Sequence, residues 1–230
     1  MTAKVKKLVH IAVDHVQIEG MLELPENAKG IVLFAHGSGS SRHSPRNNYV
    51  ASVLHDSGIG TLLMDLLTPE EDTDYQTRFD IPLLTQRLLI ATSWVWEETL
   101  TKDLPLGYFG ASTGAAAALQ AAAAGGDEIS AVVSRGGRPD LAGQRSLGHV
   151  ACPTLLLVGG WDDVVIELNR EAYACMHCEK ELSIIPNATH LFEEPGTLEE
   201  VARQATAWFV KYLKPAKKAC MNQNTTHQNE

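Results

Sequence analysis

Leu106-Gly107-Tyr108-Phe109-Gly110-Ala111-Ser112-Thr113-Gly114, running straight into the alanine-rich segment Ala115 to Ala124, is the stretch that decides the fold. The apolar run Leu106 to Phe109 predicts a buried strand, and the alanines predict a helix packed closely against it. G-x-S-x-G between a strand and a helix is the context of a nucleophile elbow. The backbone there turns so sharply that only small neighbours fit, and Gly110, Ala111 and Gly114 supply them. Ser112 is then left with its hydroxyl raised above the sheet edge. The next N–H, on Thr113, lies at a helix N-terminus, where partial positive charge favours an oxyanion. The same pentapeptide could also be a glycine-rich turn with an incidental serine, so the flanking segments have to decide.

Outward from the elbow, strands and helices alternate. Residues 5–24 alternate apolar and polar around a turn at Asp14-His15, which predicts an antiparallel hairpin at the sheet edge. Ile31 to Ala35 is wholly apolar, as inside a parallel sheet, and runs into the small-residue loop His36 to Ser41. Pro45 opens a helix with Tyr49, Val50, Val53 and Leu54 on its expected buried face, closed by Gly58. After the strand Thr61 to Met64 come Glu70, Glu71, Asp72 and Asp74, which read as a solvated loop. Asp80 is placed to cap a helix with the stripe Ile81, Leu84, Leu88, Ala91 and Val95. Further strands are expected at Ile129 to Val133, Pro153 to Val158 and Glu181 to Ile185, with Ser134 to Arg138 as a loop. One helix passes through Leu168 and Ala172, and a long one carries Val201, Ala205, Trp208, Phe209 and Tyr212. The expectation is an α/β fold: a mostly parallel, doubly wound sheet of about eight strands, with helices on both faces. The connections after Val133 and Val158 are too short for a large cap. Residues 1–214 are expected to form one domain and residues 215–230 a polar, disordered tail, in which the Asn224 sequon is without meaning in the cytoplasm.

The totals narrow the partners. The 230 residues are 44% hydrophobic and 20% charged, with a net charge of −9 and a pI near 5.5. An acidic chain argues against nucleic acid as a partner. No run approaches the roughly 18 apolar residues of a membrane span. The N-terminus lacks a signal-peptide cleavage pattern, so a cytoplasmic location is expected. Cys175 and Cys178 form a lone C-x-x-C without a second ligand pair. With Cys152 and Cys220 they read as reduced thiols, and neither metal nor organic cofactor is expected.

In such a sheet, functional groups gather at the carboxyl ends of the strands. The elbow places Ser112 there, the strand ending at Val158 places Asp162, and the strand ending at Ile185 places His190. A serine hydroxyl needs a base to take its proton, an imidazole can be that base, and a carboxylate fixes the imidazole's tautomer. Asp163 competes with Asp162; His177, at a helix end, and His227, in the tail, are poorly placed rivals of His190. The backbone N–H of Ser38 is the candidate second oxyanion donor beside Thr113. Arg42, His43 and Arg46 follow the oxyanion loop, and Arg135 and Arg138 lie near the next strand's end. Arg42 and Arg135 could hold a substrate carboxylate or phosphate. The competing expectation is that these arginines pair with Asp65, Asp140 or the acidic loop.

The segments Phe34 to Ser40, Gly110 to Gly114, Gly159 to Asp162 and Ala188 to Phe192 together resemble an α/β-hydrolase of the dienelactone hydrolase-like group, and they span nearly all of the chain except its tail. Members of the group proper carry cysteine in G-x-C-x-G, where this chain has Ser112. The resemblance therefore implies a general serine esterase: Ser112, His190 and Asp162 as triad, Ser38 and Thr113 as oxyanion donors, and small carboxylic esters, thioesters or lactones as substrates. A monomer or homodimer, with no cofactor, goes with that reading. A non-catalytic binding or regulatory module, and an acyltransferase or perhydrolase using the same serine, stand as alternatives.

Overall fold

The alternating and the continuous apolar runs become strands of one sheet. The computed structural model describes residues 5–214. The expected tail, with Cys220, His227 and the sequon, lies outside the described residues. Strands β1 (Val5–Val13) and β2 (Val16–Leu24) form the edge hairpin, paired from Val5 with Leu24 to Val13 with Val16, and Asp14 turns with φ 51°. Burial alternates along both, because one face packs and the other meets water. β3 (Ile31–Ala35), β4 (Gly60–Met64), β5 (Leu106–Ala111) and β7 (Thr154–Gly159) are buried throughout, as their unbroken apolar runs require. With β6 (Ile129–Arg135) and β8 (Lys180–Ile185) they complete an eight-stranded sheet in the order β1-β2-β4-β3-β5-β6-β7-β8. β2 runs antiparallel to both its neighbours, and every pair from β4 to β8 is parallel.

Six α-helices among the described residues cover the faces: α1 (Pro45–Asp56), α2 (Ile81–Glu97), α3 (Thr113–Gly125), the short α4 (Gln144–His149), α5 (Asp163–Cys175) and α6 (Thr197–Tyr212). Ser44 and Asp80 cap α1 and α2, the Asp80 carboxylate accepting the Leu83 N–H at 3.0 Å, with a proline in each first turn. The predicted α2 stripe is buried at all five positions. It packs with the α3 alanines on one face of the sheet, while α1 and α6 enclose Phe34, Phe109 and Phe209 on the other.

Three expectations need correction. The buried face of α1 is Asn47, Val50, Ala51, Leu54 and His55, while Tyr49 is exposed; α6 packs alongside. Strand β6 runs two residues further than predicted, because Ser134 and Arg135 pair with Gly110 and Ala111 of β5. The acidic segment lies at the surface as expected, with Glu70 and Asp74 exposed, but it is not irregular. It folds into two 3₁₀ turns, Glu71–Thr73 and Thr77–Phe79, held by Glu71 to Arg87 at 2.7 Å and Asp72 to Arg78 at 3.0 Å. A 3₁₀ turn at Pro139–Ala142 and α4 fill the connection after β6 without forming a cap. No helix among the described residues is long and apolar enough to cross a membrane.

Candidate active site

Ser112 sits between β5 and α3 at φ 51° and ψ −120°, a conformation L-residues rarely adopt. The surrounding glycines make it reachable. A Cβ on Gly114 would stand 2.2 Å from the Ala35 carbonyl oxygen, and one on Gly110 would stand 2.4 Å from the Ala115 Cα. The strained backbone is over-determined by hydrogen bonds. The Ser112 N–H donates to the Arg135 carbonyl at 3.2 Å, and its own carbonyl accepts from Ala115 and Arg138, each at 3.1 Å. The Ser112 hydroxyl is partly exposed and makes no hydrogen bond among the described residues.

Asp162 and His190 arrive from β7 and β8. Gly160 and Trp161 tie the end of β7 to the end of β8 by N–H donation to the carbonyls of Ile185 and Ala188, at 2.8 and 2.9 Å. That cross-strand lacing brings His190 Nδ1 to within 2.6 Å of Asp162 Oδ2. Asp162 occupies the N-cap position of α5 but makes no capping bond with its side chain, so its carboxylate is committed to the imidazole. Asp163, the sequence competitor, is exposed in the first turn of α5, and His177 is exposed at the far end of that helix. Gly136 meets the imidazole edge-on: a Cβ there would lie 3.5 Å from His190 Cε1. Because Gly136 follows Arg135, whose carbonyl holds Ser112, the serine and the histidine flank the same short segment.

The loop after β3 closes the other side. A Cβ on Gly37 would lie 3.0 Å from Ser112 Cβ, and the N–H groups of Ser38 and Thr113 have no acceptor among the described residues. Both border a small cavity with His36, Gly37, Leu67, Asp72, Arg78 and Leu84. The acidic segment therefore walls the candidate oxyanion region, which its charge pattern alone could not reveal.

His36 was legible only as the first residue of this loop, yet it anchors the loop. Its Nδ1–H donates to the Gly37 carbonyl at 2.9 Å, so Nε2 is the acceptor for the Leu66 N–H, also at 2.9 Å. Only the neutral ring satisfies both, and burial pushes its pKa below the ordinary 6.5. A signal existed in the sequence: a histidine at a buried strand end, with two loops to tie together.

The arginines divide sharply. Arg42, expected as a substrate contact, is occupied by Glu19 and Asp65, and its own N–H donates to Asp65 Oδ1 at 2.7 Å; that expectation is withdrawn because local carboxylates already neutralise it. Arg138 forms a fork with Asp140 at 2.7 and 2.9 Å. Arg135 is different. It is 7% exposed, donates no side-chain hydrogen bond among the described residues, and lies 5.8 Å from the Phe192 ring centroid. Burial, with Arg46 nearby, lowers its pKa to about 10.

Among the described residues, no group of three or more His, Cys, Asp or Glu side chains could hold a metal ion. Cys152, Cys175 and Cys178 are free thiols, and burial pushes the Cys152 pKa up to about 12. Trp161, Val164 and Leu191, close to Asp162 and His190 in sequence, are exposed.

The fold has counterparts among solved structures. A dienelactone hydrolase from Anabaena variabilis is 54% identical, with 91% of this chain and 99% of that one aligned, and superimposes at a TM-score of 0.88. An esterase from Pyrococcus furiosus shares the fold at 18% identity and a TM-score of 0.75, over 91% of this chain and 92% of that one. Curated relatives from two strains of Mycobacterium tuberculosis, provisionally named phosphoribosyl transferases, are 57% identical over 205 residues, 89% of this chain. The chain spans 46% of the length of those relatives. No protein-family model matches it.

Proposed function

We propose, from the premise that this chain belongs to the dienelactone hydrolase family of α/β-hydrolases, that it is a serine hydrolase of small carboxylic esters. The observation that carries the reading is the 2.6 Å contact between Asp162 and His190, assembled from two strands beside a strained serine. In this mechanism Asp162 holds Nδ1 of His190 as the donor, which leaves Nε2 with a lone pair to accept the Ser112 proton. The serine oxygen attacks the ester carbonyl, and the resulting oxyanion is met by the Ser38 and Thr113 N–H groups. Such donors are fixed before reaction and need no reorganisation, and each is typically worth about 2.7–4 kcal/mol. His190 then gives its proton to the leaving alkoxide. Water, activated by the same imidazole, releases the acid from the acyl-enzyme. The free Ser112 hydroxyl is compatible with this sequence, since catalytic hydrogen bonds often form only once substrate is bound.

The serine departs from the family's cysteine, which favours ordinary esters over the dienelactone reaction. The transferase name of the mycobacterial relatives covers proteins more than twice as long as the matched stretch. We assign ester chemistry to the stretch they share with this chain.

The test is labelling with a fluorophosphonate probe, beside hydrolysis of p-nitrophenyl acetate, in wild type and Ser112→Ala. Wild type should label at Ser112 and turn over. The variant should not label, and its kcat should fall by on the order of 10⁶. A wild type that does neither would return the binding-module alternative to first place.

A further inference from the structure

Helix α5 buries Val165, Ile166 and Ala172, and the fourth buried position on the same stripe is Asn169. Asparagine is a poor residue for a helix interior, and a buried amide that lacks part of its hydrogen bonding is costly. Leucine would serve packing better. Asn169 is nevertheless 0% exposed, and its Oδ1 has no hydrogen-bond partner among the described residues. Its NH₂ group accounts for the placement. That group donates to the Val165 carbonyl of the same helix at 2.8 Å and to the Gly137 carbonyl at 3.0 Å. Two carbonyl oxygens decide which end of the amide faces them, because only the NH₂ end can donate.

The bond to Gly137 joins the two supports of the candidate triad. The first support is the segment after β6. Its Arg135 carbonyl accepts from the Ser112 N–H at 3.2 Å, and its Arg138 N–H donates to the Ser112 carbonyl at 3.1 Å. Between them, a Cβ on Gly136 would lie 3.5 Å from His190 Cε1, and one on Gly137 would lie 2.0 Å from Ser134 Oγ, so the segment passes through a space with no room for side chains. The second support is the first turn of α5. Asp162 is its N-cap, the Asp162 carbonyl accepts from Ile166 at 2.9 Å, and the carboxylate holds His190. Among the described residues, no other side-chain hydrogen bond runs between residues 135–138 and α5.

We propose that Asn169 is a positioning residue: its amide holds the Gly137 segment, and through it Ser112, at the spacing from α5 that Asp162 and His190 require. It touches none of the reacting atoms. The proposal rests on the reading of Ser112, His190 and Asp162 as a catalytic triad. A triad delivered by three separate strands needs its supports tied together, because a misplacement of about 1 Å can lower a rate on the order of 100-fold. A polar residue in an apolar helix stripe breaks the local pattern, and such breaks are expected where a site is held in place.

The test uses two variants and two readouts. Asn169→Leu fills the space without the amide. Asn169→Ser keeps a donor for the Val165 carbonyl, four residues back, but its side chain is too short to reach Gly137. Urea unfolding shows whether each variant folds, and active sites are counted from the burst of p-nitrophenyl acetate hydrolysis. Per active site, both variants should lose about 10- to 100-fold in kcat with KM within about twofold of wild type, the split expected when alignment in the transition state is lost and ground-state binding is kept. The second readout needs no turnover. The downfield ¹H NMR signal of the His190 Nδ1 proton, shared with Asp162 across 2.6 Å, should shift or broaden in both variants. If Asn169→Leu does not fold, Asn169→Ser decides alone. A kcat within about twofold of wild type in the folded variants, a loss carried by KM alone, or an unmoved proton signal would overturn the proposal. A wild type that shows the signal but neither labels with fluorophosphonate nor turns over would sink the hydrolase reading, and the proton signal would still decide the role of Asn169.

Discussion

Replacing Asp162 by Asn isolates the contact on which the catalytic reading turns. The carboxylate accepts the His190 Nδ1–H at 2.6 Å, and no other side chain in the described residues takes its place. An amide at the same position can present its NH₂ to Nδ1, which forces the proton onto Nε2, the nitrogen that must be free to receive it. Geometry survives while the tautomer inverts. In serine proteases the equivalent change lowers kcat by about 10⁴, close to 5.4 kcal/mol at about 1.36 kcal/mol per decade. The same order is expected here, because Asp162 is largely shielded and the pair is short. Asp163→Asn is the matched control. It is exposed and interacts only with the N-terminus of α5, so turnover should change by no more than about twofold, with about 0.3–1 kcal/mol of stability lost. The assay is burst and steady-state hydrolysis of p-nitrophenyl acetate, with urea unfolding to confirm that both variants fold. A loss below about tenfold in Asp162→Asn, or a larger loss in Asp163→Asn, would refute the assignment.

Gly114→Ala drives a methyl group toward two backbone oxygens at 2.2 and 2.4 Å, which should cost on the order of 3 kcal/mol in urea unfolding and stop fluorophosphonate labelling by moving Ser112. His36 and His55 are both buried with pKa values lowered mainly by desolvation, so the unfolded chain binds more protons than the folded one below their ordinary 6.5. Their contribution to stability is complete above that pH and is lost as pH falls through the folded values. Unfolding free energy should therefore decline on acidification from pH 7, and His36→Gln should flatten the decline; an unchanged slope would place the proton uptake elsewhere.

The fold was legible because its signals are one-dimensional. Unbroken apolar runs marked β3, β4, β5 and β7, period-two alternation marked the hairpin, and the Asp80 cap marked the start of α2. Pairing was not legible. The extra residues of β6 follow from their register with Gly110 and Ala111, which no local pattern contains. The true face of α1 likewise depends on α6, more than 140 residues away. In the site, Asp162 could be ranked above Asp163 only by position after the strand; the structure separates them by orientation, with one turned to His190 and the other to solvent.

The arginines expose the deeper limit of reading charge from sequence. Arg42 and Arg135 both lie near strand ends in glycine- and serine-rich surroundings, and both could be given the same anionic partner. What separates them is the depth of burial and the carboxylates that the fold delivers from elsewhere. Glu19 comes from β2 and Asp65 from the end of β4 to meet Arg42, and no acid among the described residues pairs with Arg135. In a chain with 28 acidic side chains against 19 basic ones, a guanidinium that stays unmatched is not short of candidates. Its isolation is a property of the folded site, beside the serine and under the histidine loop. Arg42, already neutralised by two carboxylates, ties its loop to β2 and to the end of β4.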